Sequence, residues 1–233
     1  MKIPKLLLFG LISIFLCCFN SLTFAATVYD DFNGSSIDTA KWELYESAEE
    51  VFSQSGGLLN ASTPSNGVYG YLGTKKRFRG DFEITLDFRN FQTTATSSAN
   101  NDPQISLEVS KYEDNGNNFI FIFRGWSENV GHNFFSNGKL DGSWQSGSSA
   151  SATSQAGLLR ITRTGSTITT YYYKDSSWTM LKSFTGAFTE DVVAQIGVYT
   201  GDDGNFSVSC DYIEYVGQLV GWAGSWLLLL LGD

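Results

Sequence analysis

The chemistry this sequence could perform rests on a few acidic, basic and aromatic side chains. Glu83 and Asp87 lie in the stretch Arg79–Phe91 and Glu108 in Ile105–Tyr112. Arg124 and Trp126 lie in Phe119–Trp126, and Trp144 ends the irregular stretch Asn133–Trp144. Hydrolysis of a glycosidic bond needs two carboxylates about 5–5.5 Å apart for retention, or about 6.5–9.5 Å for inversion. Glu83 and Asp87 are four positions apart, roughly 13 Å along a strand, so a carboxylate from another strand, such as Glu108, would have to complete a pair. Binding asks for less. A sugar needs an aromatic platform and a few orienting polar groups. Trp126 offers the platform, Trp144 an extension of it, and Arg124 a bidentate donor. The bland reading stands beside this one: acids that keep a sheet face soluble, and Arg124 and Trp126 closing a sandwich edge. His132 is the single histidine and has no clear partner, a poor basis for metal, acid–base or nucleophile chemistry. No Gly-rich phosphate loop and no Cys/His metal spacing occurs.

The elements that must position these groups are strands. In Arg79–Phe91, Phe82, Ile84, Leu86 and Phe88 alternate with Glu83, Thr85, Asp87 and Arg89, the period of a strand with one buried and one wet face. Leu107 and Val109 alternate with Ser106, Glu108 and Ser110. Phe119, Phe121 and Phe123 alternate with Ile120, Ile122, Arg124 and Trp126; the phenylalanines are expected inward, with Ile161 from a later strand. That parity would put Glu83, Asp87, Glu108, Arg124 and Trp126 on polar faces. Gly56-Gly57, Asp114-Asn115-Gly116-Asn117, Gly165 and Asp175-Ser176-Ser177 read as hairpin turns. Roughly a dozen short strands and no amphipathic helix predict an all-β fold, a two-sheet antiparallel β-sandwich or jelly roll.

Composition narrows the partners. Lys2 and Lys5, the apolar run Leu6–Phe19 and Thr23-Phe24-Ala25 read as a signal peptide over residues 1–25. The expected location is secreted, extracellular or periplasmic, or at the cell surface. Losing that leader leaves 13 basic against 24 acidic residues, a balance that disfavours nucleic acid and anionic membranes. Cys17 and Cys18 leave with it and Cys210 has no partner in the chain, so no disulfide is expected. Residues 26–215 make one domain. Residues 216–233, with Leu219, Val220, Trp222, Trp226 and Leu227–Leu231, read as an exposed apolar tail with weak membrane association. A strip docked on the sandwich and a non-natural end are the alternatives.

Four stretches then fall in a familiar order: Asp30-Asp31-Phe32-Asn33-Gly34 with Ile37-Asp38 and Trp42; Gly80-Asp81-Phe82-Glu83; Leu159-Arg160-Ile161-Thr162-Arg163 running into Thr167–Tyr173 and Trp178; and Val208-Ser209-Cys210-Asp211-Tyr212. Over Val28–Tyr215 the chain resembles the concanavalin A-like lectin/glucanase superfamily, which includes laminin-G-like domains. The resemblance implies two stacked curved sheets and a concave face that commonly meets carbohydrate; binding modules and hydrolases share the fold. Family 16 glycoside hydrolases carry a Glu-x-Asp-x-x-Glu pattern. Here the position two after Glu83 is Thr85, and the position two after Asp87 is Arg89. The expectation is an exported, non-catalytic carbohydrate-binding domain using Glu83, Asp87, Glu108, Arg124, Trp126 and Trp144. A glycoside hydrolase and a structural adhesion module are the alternatives. The resemblance also implies structural calcium where first and last strands pair, with Asp30 or Asp31 meeting Asp211. Asp202 and Asp203 form a second candidate.

Overall fold

The computed structural model describes residues 25–48, 50–63, 67–94, 103–127, 130–201 and 205–222. The leader up to residue 24, Asp202 and Asp203, and the tail beyond Trp222 lie outside these residues. The strands are β1 (Thr27–Asp30), β2 (Trp42–Glu46), β3 (Phe52–Ser55), β4 (Leu58–Thr63), β5 (Tyr69–Thr74), β6 (Lys76–Thr93), β7 (Gln104–Lys111) and β8 (Phe119–Ser127). They continue as β9 (Gly131–Leu140), β10 (Ser143–Trp144), β11 (Ser148–Ser151), β12 (Gly157–Thr164), β13 (Thr167–Lys174), β14 (Ser177–Thr185), β15 (Val192–Tyr199) and β16 (Phe206–Trp222). All their pairings are antiparallel.

Two sheets result. The first runs β2-β5-β15-β7-β8-β9, with β10 and β11 both on β9. The second runs β3-β4-β16-β6-β12-β13-β14, and β1 takes the part of β16 that β4 leaves open. A single pair, Val192 opposite Phe78, joins them at one corner, and β12 packs across β7 and β8 to close the sandwich. The β3–β4 turn, at Gly56-Gly57, has φ of 63° and 75°. Both values are left-handed, as a tight two-residue hairpin loop requires.

The core lies between the sheets. Phe82, Ile84, Leu86 and Phe88 of β6 face Leu107 and Val109 of β7, Val192, Ala194, Ile196 and Val198 of β15, and Ile161 of β12, all buried. Each such side chain contributes about 1.5–3 kcal/mol on leaving water. At β8 the structure corrects the expected parity. Ile120 and Ile122 are fully buried in the core, whereas Phe119 and Phe121 are only partly covered and lie on the opposite side. Phe123 is buried on that outer side too, against Phe135, with ring centroids 5.3 Å apart. The register explains it. Leu107 pairs with Ile122, and Glu108 with Phe121, so whatever faces the core beside Leu107 must be isoleucine. Alternation reveals two faces; it does not say which is the core when both are apolar.

The last strand also runs further than expected. Val216 pairs with Glu83, Leu219 with Phe78 and Val220 with Arg77, so the boundary drawn at residue 215 falls inside β16. At the start of the chain, Trp42 is buried, its ring centroid 5.1 Å from that of Tyr29, edge to face, and stacked 6.0 Å from Phe32. Its indole Nε1 donates to Asp30 Oδ2 at 2.6 Å, and the Phe32 amide donates to Asp30 Oδ1 at 3.0 Å. Asp30→Ala would leave two buried donors unpaired, a loss of about 2–4 kcal/mol. A thermal melt should show a fall of about 5–15 °C; an unchanged melting temperature would contradict this role.

Candidate functional site

The register sends a second set of side chains to the outer side of the first sheet. Across its centre, Gly73, Gln195, Glu108, Phe121 and Asn137 stand in one row on successive strands. The next row holds Tyr45, Tyr71, Gly197, Ser106, Phe123 and Phe135. The middle of this face is polar and the flanks are aromatic. On one flank Tyr45 stacks on Tyr69 at 5.9 Å, and Tyr69 lies 5.9 Å from Tyr71. On the other, Phe119, Phe121 and Phe123 form a ladder with centroids 6.2 and 6.1 Å apart. Tyr71 and Phe121 sit three strand spacings apart, about 14 Å between backbones.

Between the flanks lies a recess of about 270 Å³, lined by Tyr71, Gln104, Ser106, Glu108, Phe119, Phe121, Trp144 and Gln195. Its depth at one end depends on Gly197, because a Cβ there would come within 2.5 Å of Ser106 Oγ and 3.2 Å of the Tyr71 ring. Trp144 stands at the rim, 59% exposed, edge-on to Phe119 at 5.4 Å. Lys139 Nζ rests 5.2 Å from the Trp144 centroid.

The floor has unspent hydrogen-bonding capacity. Gln195 is 2% exposed, and its buried amide oxygen has no partner among the described residues. An orphaned acceptor of this kind costs about 1–3 kcal/mol. Glu108 Oε1 accepts from Ser110 Oγ at 2.6 Å. Burial pushes the Glu108 carboxyl up to about 7, and the Ser110 bond offsets only part of that. Burial, followed by the Glu108 carboxylate, raises the Tyr71 hydroxyl as well.

Of the residues expected at a site, the structure brings Glu108 and Trp144 together. The others lie elsewhere. Arg124 points into the core, fully buried; its guanidinium donates to the carbonyl oxygens of Ser154 and Gly125 and lies 4.3 Å from the Phe91 ring. Burial lowers its pKa to about 10. Trp126 shares Arg124's side of β8, pairing with His132. Burial and the neighbouring Arg124 lower the His132 pKa. Glu83 and Asp87 sit on the outer side of the second sheet, away from Glu108. Glu83 lies 3.1 Å from Arg160 and Asp87 2.9 Å from Arg89. A larger recess of about 840 Å³ opens beside Glu83, lined also by Arg79, Asp81 and Gln218. Most of its charges are paired, Arg79 with Asp191 and Asp81 with the Gly165 amide, while Arg163 Nη2 is buried with no partner among the described residues. Size alone does not favour it.

Two-carboxylate hydrolysis is poorly served. Among the described residues Glu108 is the one carboxylate lining the smaller recess. On the same outer face Glu43 pairs with Gly73, three strands from Glu108, about 14 Å away and beyond either hydrolytic separation. The expected calcium ligands do not fit an ion. Asp30 serves Trp42 and Phe32, Asp31 binds Asn33, and Asp211 lies 2.6 Å from Arg89 Nη2. Among the described residues, no cluster of three or more His, Cys, Asp or Glu is placed to hold a metal.

Residues 23–211 match the family described as Protein of unknown function (DUF1583) C domain. The chain belongs to this family. Comparison of this DUF1583 C domain with curated proteins returned no match. Its fold is that of concanavalin A-like jelly rolls. Lectin I-B4 from Griffonia simplicifolia, in metal-free form, is 10% identical with a TM-score of 0.59, covering 83% of this chain and 99% of the lectin. The exoplasmic/lumenal domain of VIP36, in a Ca2+/Man3GlcNAc-bound form, is 12% identical with a TM-score of 0.57, covering 78% of this chain and 87% of that one. A mutant of the GH43 protein BlXynB from Bacillus licheniformis is 15% identical with a TM-score of 0.60. That match covers 81% of this chain but only 39% of the enzyme. At such identities the likeness concerns fold alone.

Glu108 gives a test. A glutamate raised from 4.5 to about 7 binds more protons folded than unfolded between those values, so its penalty is absent below about pH 4.5 and complete above about pH 7. Glu108→Gln should therefore be more stable than the parent by about 1–3 kcal/mol at pH 8, and equal to it near pH 4.5. Equal stability of the two proteins at both pH values would refute the raised carboxyl.

Proposed function

We propose that this chain is an exported carbohydrate-binding domain whose ligand lies in the recess around Glu108. The observation that carries the reading is the buried Gln195 oxygen, without a partner among the described residues, on a polar floor set between two aromatic flanks. Sugar rings present apolar faces for the flanks and hydroxyl donors for the floor. Trp144, exposed at the rim, supplies a stacking surface at the entrance. Two features support export. The first residues read as a leader, and similar folds include the exoplasmic/lumenal domain of VIP36. That VIP36 structure holds both calcium and a mannose-containing glycan. Here Asp30, Asp31 and Asp211 spend their oxygens on protein donors, so binding is assigned to the recess without calcium from those residues.

A glycan array with the purified protein tests the proposal, run with and without a chelator. Binding to at least one class of oligosaccharide is expected, with the same pattern in both conditions. Trp144→Ala should weaken it by about tenfold, the scale of one lost stacking contact. Trp126→Ala, on the other side of β8, should change affinity less than about twofold. No glycan binding, or greater sensitivity at Trp126 than at Trp144, would sink the reading.

A further inference from the structure

The recess lining is chemically one-sided. Among the described residues its single charge is the Glu108 carboxylate, and its buried orphan is an acceptor, the Gln195 amide oxygen. No described lysine or arginine lines it, and the rings of Tyr71, Phe119, Phe121 and Trp144 stand around those two groups. A carboxylate and an amide oxygen ringed by aromatic faces form an environment that favours an ammonium group, which the ring quadrupoles and the carboxylate both attract. The protein already places a cation on two of these rings. Lys139 Nζ, outside the lining, lies 5.2 Å from the Trp144 centroid and 5.9 Å from that of Phe119.

We propose that the recess selects an amino sugar, a hexosamine unit with a free amine, whose ammonium sits between Glu108 and Gln195 while its ring packs against the aromatic flank. This rests on the carbohydrate-binding reading and names its ligand class. The ammonium supplies a donor to Gln195 Oε1, which has none among the described residues, and a charge opposite that of Glu108; neutral hydroxyls do this with less charge complementarity. Acidic sugars are disfavoured, since a carboxylate or sulfate would meet Glu108 across the recess. On the same face as Glu108 stand Lys139 on β9 at the rim, Glu43 on β2 at the far flank and Arg77 of β6 over the Tyr112 ring, while Tyr71 on β5, Ser110 on β7 and Gln195 on β15 face it uncharged. With the carboxyl titrating near 7, affinity for a cation should rise from mildly acidic to mildly alkaline pH.

Isothermal titration of the purified protein near pH 7 tests this with a glucosamine tetramer, an N-acetylglucosamine tetramer, a glucose tetramer and tetramethylammonium. The glucosamine tetramer should bind about tenfold more tightly than either neutral tetramer. Glu108→Gln should bring that ratio close to one, and Gln195→Leu should lower it, giving a second variant should the first fold poorly. Tetramethylammonium, whose charge does not titrate, should bind weakly and more tightly at pH 8 than at pH 5.5. Neutral tetramers binding as tightly as the glucosamine tetramer would overturn the amine selectivity and leave carbohydrate binding intact. Tetramethylammonium binding with no sugar binding would overturn the amino-sugar proposal and the carbohydrate reading, leaving only a cation site. An amine preference retained in Glu108→Gln would overturn the role of the carboxylate.

Discussion

The pairing of Leu107 with Ile122, and of Glu108 with Phe121, fixes which side of β8 meets the core, and the recess follows from it. Period-two geometry leaves no partial outcome. With Ile120 and Ile122 inward, the phenylalanines must line the outer side next to Glu108, and Arg124 must enter the core. A guanidinium in that place is expensive unless acceptors meet it. The Ser154 and Gly125 carbonyls do so, with the Phe91 ring beneath. Through the same bonds Arg124 ties the segment after β11 to β8. The side chain that looked like a ligand-facing donor works as an internal clamp.

Salt-bridge chemistry separates the two outer faces. The chain is acidic, with a formal charge of −9, yet most acids on the second sheet's exterior have cationic partners. Glu83 meets Arg160, Asp87 and Asp211 share Arg89, and Asp191 takes Arg79 and Arg77. Exposed pairs of this kind contribute little, about 0–1 kcal/mol each, but they leave few groups free for a ligand. Among the described residues Glu108 has a hydroxyl, that of Ser110, for a partner. Its burial with so little compensation is a local destabilisation of the sort that binding sites retain.

Much of the fold was legible in the sequence, because β6 and β7 have one apolar and one polar parity and their turns carry the residues those turns require. β8 was not, since phenylalanine on one parity and isoleucine on the other are equally apolar. Sheet membership was not legible either. Glu83 and Glu108 sit on successive strands, but the chain crosses the sandwich between β6 and β7, so the two acids face opposite exteriors. Asp30 looked like a metal ligand because the family resemblance places an ion where the first and last strands pair, and an acid beside Asp31 carries no sign of the indole donor it will accept. The residues missed at the site had a weak signal. Gln195 is the one amide side chain in the strand Val-Val-Ala-Gln-Ile-Gly-Val-Tyr, and Tyr69 and Tyr71 alternate on β5.

A face assignment of this kind is tested most directly by NMR chemical-shift mapping of a bound oligosaccharide. Perturbations are predicted at Tyr71, Ser106, Glu108, Phe121, Trp144 and Gln195 on the outer side of the first sheet. A map centred instead on Glu83, Asp87 and Arg160, on the exterior of the second sheet, would contradict it.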